Sequence, residues 1–454
     1  MSDASRPSSP NPASRRDFLK SSTAAIVGGA LAGSLSIARS AHAAGDDEIK
    51  IALIGCGGRG TGAAVNALNT AGPAKLWAVA DVFPNRMEAS LQSLSRQFPQ
   101  RVDVPSERQF IGLNAYQQAI DALDANDVVI LATPPAFRPI HLEYAVQKGR
   151  NVFMEKSFAV DAPGIRRVFA AGEVARQKNL KIAGGLMWRH DLGREALMQR
   201  LHDGAIGDLV LSQVYRMHGP VGFVPRGPGM SELAHQIRNY SCFTWLNGSF
   251  FVDWLIHDID VCCWAKNAWP VTAQGHGGRQ ARMFPDQMYD HFAVEYTFAD
   301  GTKMLAQGRH IDQCHNVFSD FFHGAKGSAA IFDAVVADRP RIYKNHVQVK
   351  ENEVWRYDGP TPNPYQREHD LLFDAIRNNR TYNETERCAK TCLTAIMGRM
   401  AAESGQLITW EQALASNLQL APGLERCNWD SPAPVMPDEN GRYPIPVPGQ
   451  GKVL

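Results

Sequence analysis

The sequence has almost no charge imbalance: 47 Lys and Arg stand against 46 Asp and Glu, a formal net charge of +1. So small a field excludes electrostatic capture of nucleic acid or of an anionic membrane surface, and the expected partner is a small molecule. Cysteine is scarce as well, eight in 454 residues, which excludes a disulfide-stapled fold. The cysteines at 56, 242, 262, 263, 314, 388, 392 and 427 include no C-x-x-C pair for zinc or thiol exchange. Cys388 and Cys392, one helical turn apart with no further ligand at metal spacing, read as packing residues. There is no internal repeat, and long apolar runs are lacking. The stretch 21–38 is short and rich in Gly and Ser, whereas a membrane span needs about 20 strongly apolar residues. What the sequence does have is 44% apolar residues, enough for about two or three domains with real cores, which excludes general disorder.

Before the first strand the chain carries Ser14-Arg15-Arg16-Asp17-Phe18-Leu19-Lys20, the weakly apolar stretch 21–38, and Ala41-His42-Ala43. Charge, apolar region and an A-x-A cleavage site come in the order of a twin-arginine signal, so residues 1–43 are expected to be an address. The expectation is export to the periplasm or beyond by the twin-arginine machinery, with no stable membrane anchor. That route resembles a port for proteins folded before export, often around a cofactor.

Ile49 to Ile54 is a β-branched run, Gly55-Cys56-Gly57-Gly58-Arg59-Gly60 follows without a gap, and 63–68 has helical character. This is strand, G-x-G-x-x-G, helix, the pattern of a dinucleotide-binding loop. Gly55 permits the tight turn, Gly57 lets backbone approach a pyrophosphate, and Gly60 lets the helix pack on the strand, while Gly58 and Arg59 sit at the helix N-terminus that faces the anion. A second run ends in Asp81, about 20 residues on, where a carboxylate accepts from ribose hydroxyls and repels a 2′-phosphate. NAD is therefore expected, with NADP, for which Arg86 lies five residues on, the less favoured alternative. Further apolar runs at 127–132 and 151–154 alternate with helical patterns, the second delivering Glu155 and Lys156 to the carboxyl end of its strand, where ligands sit in parallel sheets. The expected fold is α/β: a Rossmann domain at 44–175 followed by an α+β domain at 176–420.

Thr133-Pro134-Pro135 with His141 following, and Phe153-Met154-Glu155-Lys156, resemble the glucose-fructose oxidoreductase, inositol dehydrogenase and MocA (Gfo/Idh/MocA) family over nearly the whole chain after residue 43. The resemblance implies cofactor contacts from Thr133, Pro134, His141 and Glu155, and places Lys156 beside the nicotinamide and the reacting carbinol. In the family an E-K-P motif is usual, and Ser157 replaces the proline here. A second family signature is an acid four residues before a histidine and another three after it, supplied by Asp253, His257 and Asp260. At helical spacing these three share one face, with Asp258 turned elsewhere. A histidine ordinarily titrates near neutrality, so His257 is the candidate base, Asp253 the residue expected to orient it, and Lys156 the group that holds the carbinol oxygen, the choice of proton acceptor between His257 and Lys156 being open. A metal is not expected, since hydride transfer needs none and no second His sits at H-E-x-x-H spacing.

Beyond 181–185, Met187-Trp188-Arg189-His190-Asp191 looks like the family's crossing into its substrate domain. Alternating runs at 209–215, 291–298 and 303–307 suggest an open, mostly antiparallel sheet of the kind that meets its copy in a homo-oligomer, a dimer or tetramer. The loop 218–247 carries Arg238, Tyr240 and Trp245, which together with Trp188, Arg189 and Asp260 form the expected substrate set. A helix is expected over 365–404, a short strand and helix over 405–418, and a Pro/Gly-rich arm over 421–454. The expected activity is oxidation of a CH–OH group in a sugar, sugar acid or cyclitol with tightly held NAD in a redox-neutral cycle. An NAD-dependent glycosidase working by oxidation, elimination and reduction is one alternative, and a sugar-binding relic of the family is another.

Overall fold

The computed structural model describes residues 48–332 and 339–450, so the expected signal at 1–43 and the last residues of the arm lie outside them. β1 (Ile49–Ile54) has Ile51, Ala52, Leu53 and Ile54 buried on both faces. Such unbroken burial is what a central parallel strand requires, and each large aliphatic side chain it removes from water contributes roughly 1.5–3 kcal/mol. Around it lie β2 (Ala74–Asp81), β3 (Gln109–Ile111), β4 (Val128–Leu131), β5 (Asn151–Met154) and β6 (Ile182–Gly184), all parallel, in the order β3-β2-β1-β4-β5-β6. The order reverses between β1 and β4, so the loops leaving these two strands diverge and open a crevice at their carboxyl ends. Gly55 and Thr133 head those loops. β6 completes this sheet, which therefore runs past the expected domain boundary at residue 175.

The second sheet has nine strands in the order β14-β13-β12-β11-β7-β10-β9-β8-β15. They are β7 (Leu209–His218), β8 (Thr272–Gly278), β9 (His291–Thr297), β10 (Lys303–His310), β11 (Val317–Gly324), β12 (Ser328–Ile331), β13 (Arg341–Tyr343), β14 (Glu353–Arg356) and β15 (Ile408–Thr409). Among the described residues only β7 and β10 pair in parallel in this sheet; the other pairs are antiparallel, as the alternating sequence predicts. Buried residues alternate with half-buried ones along β9 and β10, so one face is covered. Among the described residues no helix is long and apolar enough to cross a membrane.

The helix expected over 365–404 is two helices, Pro364–Arg377 and Thr385–Ser404. Asn379, in the left-handed region at φ 48°, turns the chain between them. Leu372 and Phe373 of the first join the core beneath β1. The second is buried along most of its length between β8 and β9 on one side and the helix Ala162–Gln177 on the other, which fixes the two sheets to each other. The arm crosses the second domain, where Tyr289 donates to the Pro446 carbonyl (2.7 Å) and Gly449 to the Ser404 carbonyl (2.9 Å).

Glycine allows this central helix its close approach. A Cβ at Gly398 would lie 2.0 Å from the Tyr296 hydroxyl, which itself donates to the Thr394 carbonyl. Gly398→Ala is therefore expected to destabilise the protein by about 1–3 kcal/mol through overpacking, read as a lower melting temperature in thermal unfolding; an unchanged value would show that the helix and β9 give way freely.

Candidate active site

One cavity of about 520 Å³ runs along the crevice from the glycine loop to the second domain. Its nucleotide end is built by backbone. Gly55 has φ +96°, and a Cβ there would sit 2.7 Å from the Ala132 carbonyl carbon; a Cβ at Gly60 would sit 1.9 Å from the Gly55 oxygen. These two glycines are demanded by the protein itself. Gly57 is different: nothing lies within 4 Å of its Cβ position, and that position belongs to the cavity lining. The helix Gly58–Leu68 starts here with no side-chain cap, leaving N–H groups for an anion. The residues thus fit a dinucleotide pyrophosphate at this end. Asp81 lines the cavity with one carboxylate oxygen accepting from the Cys56 N–H (2.6 Å) and the other from the Phe83 N–H (2.9 Å), which fixes its orientation.

Thr133, Pro134 and His141 line the same wall. The His141 ring stacks on Tyr116 at 4.1 Å and meets the Thr133 hydroxyl at 3.3 Å, and burial beside Arg138 pushes its pKa down to about 3. His141 is therefore neutral at any ordinary pH. Arg59 is held by Glu155 at 2.9 Å and lies over the Tyr365 ring. Glu155 itself is buried and is not part of the lining, so its expected cofactor contact is corrected to a positioning of Arg59, whose charge consumes the carboxylate.

At the other end β5 delivers Lys156. Its ammonium donates to both the backbone carbonyl and the carboxylate of Asp253, the latter at 3.2 Å. The Lys156–Ser157 peptide is cis, and the Ser157 hydroxyl donates to the Val252 carbonyl (2.8 Å). His257 lines the cavity next to this pair with Nδ1 buried and without a partner. Burial first, then Lys156, Arg216 and Arg194, holds its pKa well below the ordinary histidine value, so the ring is neutral. The charge of Asp253 and burial raise the pKa of the nearby Tyr240 hydroxyl, which also faces the cavity.

The helical face expected for Asp253, His257 and Asp260 does not form. The chain breaks at Trp254 and Leu255 into two helices, Phe250–Asp253 and Ile256–Lys266, after the left-handed turn at Gly248 and Ser249. Asp253 consequently turns to Lys156 and not to His257, which corrects its expected orienting role. Asp260 points into the core, where Arg189 (2.7 and 3.0 Å) and the Thr391 hydroxyl (2.7 Å) satisfy it. That pairing removes both Asp260 and Arg189 from the expected substrate set. Trp245 leaves it too, being buried with its indole N–H on Gln236 (2.6 Å). The Arg238 side chain is exposed to solvent and lies outside the lining, only its carbonyl reaching Arg86. Trp188 and Tyr240 remain in the cavity wall.

The sequence reading missed Arg216, Trp254, Phe318 and Tyr365, all of which line the cavity. Trp254 follows Asp253 directly, inside the acid-histidine-acid stretch, and is the one of the four that a motif marks. The others come from β7, the start of β11 and the helix Pro364–Arg377, far apart in sequence. Asp258, as expected, turns away from the cavity; it faces Asp320, Arg194 and Arg216 in the interior, and burial raises its pKa to about 6.

No family model matches the chain. An inositol 2-dehydrogenase of Ralstonia nicotianae is 28% identical over 263 residues, covering 56% of this chain and 66% of that protein. The chain spans between 39% and 66% of the length of such curated relatives. Among solved structures, scyllo-inositol dehydrogenase from Lactobacillus casei, with bound cofactor NAD(H) and scyllo-inositol, superposes with a TM-score of 0.58 at 21% identity, covering 80% of this chain and 100% of that one. Aldose-aldose oxidoreductase from Caulobacter crescentus, complexed with glycerol, gives 0.61 at 16% identity over 80% and 100%. These likenesses establish the fold.

The two kinds of glycine separate in a simple experiment. Gly57→Ala is expected to leave the melting temperature unchanged yet weaken titrated NAD binding by about tenfold or more, since the methyl group occupies ligand space. A variant that binds as well as the parent would place the pyrophosphate elsewhere.

Proposed function

We propose that the chain is a nicotinamide-dependent oxidoreductase of the Gfo/Idh/MocA family acting on a CH–OH group of a sugar, sugar acid or cyclitol. The observation that carries this reading is the continuity of one cavity from the opening at Gly57 to Lys156, Asp253 and His257. When bound, a nicotinamide dinucleotide supplies the hydride acceptor. NAD is preferred to NADP because the fixed Asp81 carboxylate would repel a 2′-phosphate. The relatives named inositol 2-dehydrogenase and the neighbour solved with NAD(H) and scyllo-inositol support a nicotinamide cofactor and a polyhydroxylated substrate.

His257 is the base. His257 lines the cavity and its ring is neutral, so it is free to take the hydroxyl proton, whereas Lys156 is engaged in an ion pair with Asp253. Lys156 instead donates to the carbinol oxygen and steadies the charge as the carbonyl forms, with Asp253 holding it in place. Trp188 and Tyr240 bound the space left for the substrate. Export on the twin-arginine signal to the periplasm removes the protein from cytoplasmic NAD. The nucleotide is then carried through export as a prosthetic group and its hydride is returned to a second substrate.

Expression with the native signal, recovery of the exported form and denaturation should release about one NAD or NADH per chain, counted by mass spectrometry. An empty protein would overturn the tightly held cofactor. Lys156→Ala and His257→Ala are each expected to lower kcat by about 10²–10⁴ while nucleotide remains bound; full activity in either removes that residue from the chemistry. The pH profile has a definite sign. A histidine whose folded-state pKa is depressed stays a competent base below the usual value, so kcat/KM should stay level from pH 7 down to about 6; a fall centred near 6.5 would mean that His257 is not the base or is not held neutral.

A further inference from the structure

Arg216 is the cavity's unused cation. It stands on β7 and reaches the lining beside Trp254 and His257. Its guanidinium carbon lies 4.0 Å from the centre of the Phe318 ring and 4.9 Å from that of Trp254, so two aromatic side chains hold the planar head. Its Nε is buried without a partner, and among the described residues the side chain makes no hydrogen bond or ion pair. Among the described residues every other cation of the cavity has at least one acceptor. Lys156 is taken by Asp253, Arg59 by Glu155, Arg138 by the Ser157 carbonyl and Arg86 by the Arg238 carbonyl. The acids that act on Arg216 are Asp258, Asp253 and Asp320 in that order; Asp258 and Asp320 lie outside the lining and face Arg194 as well, and Asp253 lines the cavity but is paired with Lys156.

A guanidinium carries five donors in a rigid fork that matches a carboxylate in two parallel hydrogen bonds. Here the fork is pre-oriented and its donors are left unmet by the protein. We infer that Arg216 receives a carboxylate of the substrate, which makes a sugar acid, an aldonate or hexuronate, the substrate class in preference to a neutral aldose or cyclitol. This rests on the oxidoreductase reading of the same cavity. A carboxylate, with two acceptor oxygens on one charge, matches this one fork. Lys156 and His257 mark where the carbinol lies, and Arg216 anchors the acid end of the same molecule, so the oxidised carbon is selected by its distance from the carboxylate.

The test uses the whole protein loaded with NAD and four probes: gluconate, glucuronate, glucose and glucose 6-phosphate. Binding is followed by tryptophan fluorescence, for which Trp254 is a neighbouring reporter, and by calorimetry, with turnover measured separately. The two acids are expected to bind about tenfold to a hundredfold more tightly than glucose, the range of a charge-assisted pair, and the preference should weaken with salt. In Arg216→Gln the ratio of acid to neutral affinity should fall to about one, through KM more than kcat, and Arg216→Lys should restore part of it. Equal binding of acid and neutral sugar by the parent protein overturns the inference, even if Arg216→Gln fails to fold. So does a preference that survives in Arg216→Gln, or tighter binding of the phosphate ester than of the acids. Tight acid binding without nicotinamide reduction by any probe would keep the carboxylate site and sink the oxidoreductase reading instead.

Discussion

The ion pair between Lys156 and Asp253 is the contact on which the site depends. Lys156 leaves the end of a strand in the first sheet, and Asp253 ends a short helix of the second domain; the ammonium donates to both the carboxylate and the carbonyl of that one residue. Asp253 is buried and Lys156 mostly so, which makes each a poor tenant without the other, because a buried charge without a partner costs several kcal/mol. The pair therefore does two things at once. It fixes the helix against the nucleotide domain, and it holds the Lys156 side chain at the cavity wall.

The electrostatics around that pair follow from burial. His257 sits buried in the cavity wall and feels the charges of Lys156, Arg216 and Arg194, so its positive form is disfavoured and the ring is neutral. Asp253, with its charge committed to Lys156, also raises the pKa of Tyr240 and keeps a phenol donor neutral in the same wall. One carboxylate thus holds an amine in place and raises the pKa of a phenol, while burial and nearby cations lower that of the imidazole. Such an arrangement gives a proton acceptor and donors within one cavity, which is what carbinol oxidation asks of a protein that leaves the hydride to a cofactor.

The nucleotide end was legible residue by residue. Gly55, Gly57, Gly60 and Asp81 act within a strand, a turn and a helix, so their spacing along the chain is already their spacing in space. The substrate end was legible only in part. Trp188, Tyr240 and His257 line the cavity, but periodicity assumed one unbroken helix from Asp253 to Asp260, and the break at Trp254 redirects both acids. Arg189 and Trp245 have the chemistry of sugar ligands, yet their polar atoms are claimed by Asp260 and Gln236 in the interior.

The sequence by itself determined the parallel strands, the glycine turn, the arrival of Lys156 at a strand end and the alternation of the second sheet. Each of these is a matter of local period and of backbone freedom at a few glycines. Tertiary structure alone decided which charges meet. Lys156 and Asp253 are 97 positions apart, Arg189 and Asp260 are 71, and the clamp of Arg216 between Trp254 and Phe318 draws on three separate elements. A polar side chain becomes a ligand for substrate only when the fold leaves its donors unmet, and that is known only once every competing partner has been placed.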